Sequence, residues 1–191
     1  MIHILYLAAG QSRRYGSNKL LGMRGGKPLY RHGLDAVLTA VRNRGDCTVT
    51  VVTCWNAISE DCDACGIRCI PCPDSHRGIS YTIRAGVRSC GELQPEDYLC
   101  FCVADQPSLT PESIGCLLDA ASERPLTACL TCGEQSGNPT LFSAQLAEEL
   151  CALEGDRGGK SVMRRHPERH TAVPCAAEEL TDVDVREDCP S

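Results

Sequence analysis

No stretch of the 191 residues approaches the roughly 18 consecutive apolar residues of a membrane span. Cationic charge is also scarce. Lys and Arg number 19 against 25 Asp and Glu, a net charge of −6. A general nucleic-acid or membrane-surface binder needs a basic face, so neither partner class is expected. Internal repeats and low-complexity linkers are lacking too, so residues 1–191 are expected to form one domain. The opening Met1–Gly10 is apolar but carries no cationic leader, and its run is short for a signal peptide. It reads as a buried first strand, and a cytoplasmic location is expected.

Apolar residues make up 42% of the chain, enough to build a core. The few cations are unevenly spread: Arg13, Arg14, Lys19, Arg24, Lys27 and Arg31 all fall within the first 31 residues. A local basic pocket suits a small anionic ligand better than a polymer. Cysteine is abundant, at 15 residues, an odd number that cannot pair completely within one chain. Many lie inside apolar runs such as Leu99-Cys100-Phe101-Cys102-Val103, where cysteine serves as a small hydrophobe.

Short apolar runs alternate with helical periodicities. Strands are predicted over 2–8, 47–53, 67–72, 98–104, 126–131 and 139–142. The first lacks polar alternation, as expected for a strand buried on both faces. Leu34, Val37, Leu38 and Val41 mark one helix and Ile79, Ile83 and Val87 another. Thr110-Pro111 starts a third, since threonine caps free amides and proline at the first helical position has no amide to leave unpaired. Ile114, Leu117, Leu118 and Ala121 form its apolar stripe. Further helices are predicted near 143–153 and 158–165. This order implies a three-layer α/β domain with a mostly parallel, Rossmann-like sheet.

Ligands bind such sheets beyond the carboxyl ends of the strands. Ala9-Gly10, the segment Asp74–Ser80 and the turn Asp105-Gln106-Pro107 all follow predicted strands. In the first of these, LAAGQSRRYGSNKLL over 7–21, glycine and serine let backbone amides approach an anion, and Arg14 and Lys19 can neutralise phosphate charge. The spacing is neither GxxxxGK[ST] nor GxGxxG.

This stretch resembles the LAAGxSxRxGxxK signature of the MobA-like nucleotidyltransferases, which attach CMP or GMP to the molybdenum cofactor. More distant relatives activate sugars and isoprenoid precursors. The resemblance continues along almost the whole chain. GISYTIRAG at 78–86 is similar to the family's GxSxSxRxG, VADQP at 103–107 to its LADQP or GDMP turn, and GNPTLF at 137–142 to its G-H/N-P-x-L-F segment. GDRGG at 155–159 resembles the GDRGA of the cytidylyltransferase branch, and DVDVRED at 182–188 the closing DIDTPED. Tyr15, Tyr81 and Val185-Arg186 depart from the pattern beside motif residues, which bears on substrate detail more than on reaction type.

The resemblance implies transfer of CMP from CTP to molybdopterin, with Mg2+ and release of pyrophosphate. The product would then pass to a recipient molybdoenzyme. It implies that Leu7, Ala8, Ala9, Gly10, Ser12, Arg14, Lys19, Asp74, Gly78 and Ser80 bind nucleotide, with Lys19, Arg14 and Asp105 catalytic. Arg84, Gln106, Asn138, Asp156 and Arg157 would meet the acceptor. Asp105 and Asp184 would hold the metal, Asp182 competing with Asp184. Each has a plainer reading: Asp105 as a turn former, the closing acidic run as a solvated tail, Ser80 and Arg84 as an ordinary helix start, Asp156 and Arg157 as a salt-bridged loop. A different phosphate acceptor, or a noncatalytic carrier of the molybdenum cofactor, are the competing functions. Cys62, Cys65, Cys69 and Cys72 have the spacing of a four-thiolate metal site. Residues three apart in a strand face opposite sides, however, which favours core filling. The five histidines have no recognisable metal spacing.

Overall fold

The structure, a computed structural model, describes residues 1–10 and 18–183. Strand β1 (Ile2–Ala8) leads through a small hairpin, β2 (Met23–Arg24) and β3 (Lys27–Pro28), into helix α1 (Leu29–Val41). Strand β4 (Cys47–Thr53), helix α2 (Asn56–Ala64), strand β5 (Arg68–Pro71) and helix α3 (Ile79–Ser89) follow. Then come β6 (Tyr98–Val103), α4 (Pro111–Asp119), β7 (Thr127–Cys132) and β8 (Gln135–Ser143). Two short helices, α5 (Ala147–Cys151) and α6 (Lys160–Met163), precede β9 (His170–Pro174).

Seven strands form one sheet in the order β5-β4-β1-β6-β8-β7-β9. Only β8 runs against the others, pairing antiparallel with both β6 and β7. β1 is central, and its side chains alternate between two cores. Ile2, Ile4, Tyr6 and Ala8 join Leu34 and Val37 of α1, Ile58 of α2 and Ile114 of α4. Leu5 and Leu7 face the other way, with Ile83 and Val87 of α3, Leu150 of α5 and Val162 of α6. Each fully buried large side chain of this kind contributes about 1.5–3 kcal/mol. Both faces being covered accounts for the unbroken apolar run of β1.

The chain departs from the sequence expectations in several places. Ile79, expected on the buried face of α3, is 36% exposed because it starts the helix above the core. The helix expected over 143–153 is a 3-10 turn, Ala144–Leu146, followed by the short α5, and that expected over 158–165 is only the four-residue α6. β8 extends beyond 139–142 because its polar start, Gln135 to Gly137, pairs with the end of β7. Strand β9 was not anticipated. It is an edge strand with exposed Ala172 and Pro174, and an edge tolerates proline because one side of its backbone needs no partner. Cys62 and Cys69 pack in the core under α1 and α2, Cys72 packs beneath α3 on the opposite face, and Cys65 is exposed. The sheet thus divides the four thiols. Burial and the neighbouring Cys69 thiol push the Cys62 thiol up to about 12.

Packing of α1 onto β1 depends on Gly33. A Cβ there would stand 2.8 Å from the Tyr6 hydroxyl, which donates to the Tyr30 carbonyl at 2.6 Å. Alanine normally stabilises a helix interior relative to glycine by about 1 kcal/mol. Here Gly33→Ala is expected to destabilise by about 1–3 kcal/mol through overpacking. Denaturant melts should show a smaller loss for Gly33→Ala in a Tyr6→Phe background, because the clashing oxygen is gone.

Candidate active site

The connections leave β1 toward β4 and leave β6 toward β7, so the order of the sheet reverses between β1 and β6. A crevice forms outside the carboxyl ends of parallel strands at such a reversal. Leu7, Ala8, Ala9 and Gly10 end β1 there, and Asp105 and Gln106 follow β6. The first three are buried and Gly10 is exposed.

A short 3-10 helix, Lys19–Leu21, is started by Asn18, whose side-chain oxygen accepts from the Leu20 amide at 3.0 Å. This places the Lys19 ammonium 2.8 Å from Asp105 Oδ2 and 2.8 Å from the Val183 carbonyl. The Val183 amide in turn donates to the Asp105 carbonyl at 2.9 Å. Three segments remote in sequence therefore meet at one point. Asp184 follows Val183 directly but lies outside the described residues, as do Ser12 and Arg14.

A second group gathers around the start of α3. Gly78 has φ +126°, and a Cβ on it would lie 2.2 Å from the Gly155 carbonyl oxygen. The Ser80 amide donates to that same oxygen at 3.1 Å. The GISYT and GDRGG segments are thus packed backbone to backbone, and glycine is required at 78 both by conformation and by space. Asp156 and Arg157 are exposed on the second of these loops. Asp74 is exposed and 3.9 Å from Arg77. Arg84 donates to the carbonyls of Cys151 at 3.0 Å and Leu153 at 2.7 Å, which gives it a structural role at the end of α5. Asn138 lies in β8 beside the register shift opposite Cys129 and Leu130, and its bond to Pro139 is cis.

Among the described residues, three buried side-chain atoms have no hydrogen-bond partner: Ser80 Oγ, Gln106 Oε1 and Asn18 Nδ2. Such atoms are costly in a finished core, so their concentration beside the motif residues sets this region apart from the rest of the interior. Sequence reasoning singled out Ser80 and Gln106 but missed Asn18. It also missed the turn after β4, where Thr53 Oγ1 donates to the Ala8 carbonyl at 2.7 Å and Trp55 Nε1 to the Gly10 carbonyl at 3.2 Å. The available signal was the chain's single tryptophan, two residues past a strand at the carboxyl edge.

Residues 4–171 match the family described as the MobA-like NTP transferase domain. The chain belongs to that family. It is similar to the purine catabolism protein PucB of Bacillus subtilis (strain 168), at 27% identity over 96% of this chain and 92% of that protein. Its fold is that of a nucleotidyl transferase from Methanothermobacter thermautotroptrophicus, with a TM-score of 0.78, 21% identity and coverage of 98% and 94% of the two chains. It is also that of Rv0371c from Mycobacterium tuberculosis H37Rv, solved in complex with manganese, with a TM-score of 0.71, 22% identity and coverage of 98% and 95%. The crevice described above is therefore that of a MobA-like nucleotidyltransferase domain with a Rossmann-like fold. No helix among the described residues is long and apolar enough to cross a membrane.

What holds the turn before Val183 in this MobA-like chain is Glu179. The residue is 5% exposed and lies in a 3-10 turn, Ala177–Leu180. Its carboxylate accepts from the Thr110 amide (2.9 Å), the Thr110 hydroxyl (2.8 Å), the Ser113 hydroxyl (2.8 Å) and the Ala176 amide (3.2 Å). Burial pushes the Glu179 carboxyl up, but these donors together outweigh it and hold it below its ordinary 4.5. A depressed folded value means that the contribution is complete above 4.5 and is lost as pH falls through the folded value. Glu179→Gln is expected to cost about 1–3 kcal/mol at neutral pH, because a charged acceptor is replaced among the same donors. Thermal melts of both proteins from pH 7 down to about pH 3 should show the gap closing as the wild-type carboxyl protonates.

Proposed function

We propose that this chain transfers CMP from CTP to molybdopterin and releases pyrophosphate. The observation that carries the transfer chemistry is the meeting of Lys19, Asp105 and the Val183 segment at the β1–β6 reversal. In this reading an acceptor phosphate oxygen attacks the α-phosphorus of CTP. The new P–O bond forms as the bond to the α,β-bridging oxygen breaks, and pyrophosphate leaves with that electron pair. Both reactants are anions, so alignment and charge neutralisation are the main requirements. The backbone of Leu7 to Gly10, with Ser12, Asp74, Gly78 and Ser80, would cradle the nucleotide. Lys19 and Arg14 would offset phosphate charge.

Asp105 presents hard carboxylate oxygens at the crevice, and Val183, whose amide donates to the Asp105 carbonyl, immediately precedes Asp184 in the sequence. Such oxygen donors fit magnesium, and the manganese bound by Rv0371c supports a divalent cation in this fold. Asp105 and Asp184 would hold it, and when bound it supplies charge neutralisation at phosphate oxygens. The acceptor reading rests on the resemblance of Gly155–Gly159 to the cytidylyltransferase branch and on the packing of that loop against Gly78 and Ser80. Asp156, Arg157, Gln106 and Asn138 would contact the acceptor, with Arg84 holding the end of α5 behind them. The product would pass to a recipient molybdoenzyme. Thiols such as Cys65 and Cys116, both exposed, suit the reducing cytoplasm as its location. Ala9 is only 4% exposed, which leaves its methyl little reach into the crevice, so the preference for CTP over GTP rests on the resemblance.

Purified protein with magnesium, molybdopterin and either CTP or GTP should release pyrophosphate preferentially from CTP. Equal use of GTP would remove the cytidylyl assignment, and turnover only with a sugar or isoprenoid phosphate would remove the pterin. Binding of molybdopterin without pyrophosphate release from any nucleotide would make the chain a carrier.

Lys19→Ala should keep the fold and slow turnover about 10- to 150-fold, the value of a hydrogen bond to a charged group. Asp105→Asn keeps the size and turn-forming ability of the side chain. Activity should collapse, raised magnesium should restore part of it, and the fold should be kept with stability lowered by about 1–3 kcal/mol, because the part-buried Lys19 ammonium loses its charged partner. Near-normal activity of Asp105→Asn would reduce Asp105 to a turn former.

A further inference from the structure

In a regular strand successive carbonyls point to alternate neighbours. β1 obeys this until its end. The Leu7 carbonyl accepts from the Ala104 amide on the β6 side at 3.2 Å, and the Ala8 carbonyl faces the β4 side. The alternation then stops. The Ala9 carbonyl, which would return toward β6, instead accepts from the Cys54 thiol at 3.6 Å, and the Gly10 carbonyl accepts from Trp55 Nε1 at 3.2 Å. Three consecutive side chains of the turn after β4, Thr53, Cys54 and Trp55, thus hold three consecutive carbonyls of the loop after β1.

The trans peptide is planar, with its N–H opposite its C=O. Turning the carbonyls of Ala8 and Ala9 toward β4 therefore aims the amides of Ala9 and Gly10 away from β4. That is the side of β6 and of the crevice holding Lys19 and Asp105. Successive amides on one side make an anion-binding concavity. Among the described residues, apart from its chain neighbours, none comes within 4 Å of where a Cβ on Gly10 would stand. Thr53 also fixes its neighbour, since its hydroxyl accepts from the Trp55 amide at 3.1 Å while donating to Ala8.

We propose that Trp55 and Thr53 are positioning residues for the phosphates of the nucleotide: Thr53 clamps the Ala8 carbonyl and so orients the Ala9 amide that receives the anion, while Trp55 holds the Gly10 carbonyl and so fixes the residue that carries the second amide. The role rests on the nucleotidyltransferase reading, though not on the identity of the acceptor. Trp55 is the chain's only tryptophan, so its emission reports on this loop alone.

Adding CTP with magnesium to the wild-type chain should change the tryptophan emission along the same saturation curve as calorimetric binding. Trp55→Phe keeps an aromatic ring without the N–H donor, and Thr53→Val keeps the shape without the hydroxyl. Each should weaken calorimetric CTP binding and raise its KM by about 2- to 10-fold, the value of a neutral hydrogen bond, with kcat little changed; Trp55→Phe should leave the melting temperature nearly unchanged, whereas Thr53→Val, which takes the partner from both the Ala8 carbonyl and the Trp55 amide, should lower it as well. Thr53→Ser, which restores the hydroxyl, should bind almost as the wild type does. A residue that served only the fold would lower the melting temperature and the active fraction and leave KM alone. CTP binding that leaves the emission unchanged, or wild-type affinity in both Trp55→Phe and Thr53→Val, overturns the clamp and leaves the nucleotidyltransferase reading standing. A wild-type chain that binds neither CTP nor GTP by calorimetry overturns that reading and the clamp with it.

Discussion

The ammonium of Lys19 joins three parts of the chain that sequence separates widely. It bonds Asp105 and the carbonyl of Val183, the latter 164 residues away. An ammonium this little exposed, at 14%, needs partners that return what desolvation removes, and a carboxylate plus a carbonyl supply them. Much else at the crevice is arranged to keep these partners present. Asn18 sets the 3-10 turn that aims Lys19, the end of β6 presents Asp105, and Glu179 anchors the turn that leads to Val183.

Rigidity for this arrangement comes from β1. Because both of its faces are buried, neither register nor orientation can change without exposing one of two cores. The crevice is therefore built on a strand held between two cores, whereas the groups beside it come from strand ends and loops: Trp55 after β4, Asp105 after β6, and Val183 after β9. A central strand supporting variable loops is how one fold can serve several nucleotidyl acceptors without altering its sheet.

Where local chemistry determined the outcome, the sequence could be read directly. The apolar run of β1, the β-branched run of β4, the Thr110-Pro111 helix start and the α/β alternation are each consequences of short-range rules, and the structure follows them. Thr110 does accept from the Ser113 amide at 3.2 Å. The loops carrying Gly10, Ser80 and Asp105 were placed at the carboxyl edge by the same alternation. What could not be read depends on contacts distant in sequence. β9 has weak strand character and forms because β7 offers an open edge. Thr53 and Trp55 look like any strand end until β1 is seen beside them. Arg84 looked available for a ligand because no periodicity reveals the α5 carbonyls that it holds.

The pairing of Lys19 with Asp105 also bears on how a proposed nucleotide would enter. Two groups that on the proposed reading would each serve an anionic substrate, one directly and one through a cation, form an ion pair with each other. Each is thereby spared an unpaired charge near a partly buried crevice. A magnesium–nucleotide complex offers both charges at once: phosphate oxygens for the ammonium and a cation for the carboxylate. Such a complex would replace each partner of the pair in kind, whereas a free nucleotide anion would draw Lys19 from Asp105 without bringing a cation for the carboxylate. On the proposed reading nucleotide and metal would enter together, and the Val183 carbonyl, neutral and carried by a residue whose amide donates to the Asp105 carbonyl, would hold the ammonium in place while its ionic partner changes.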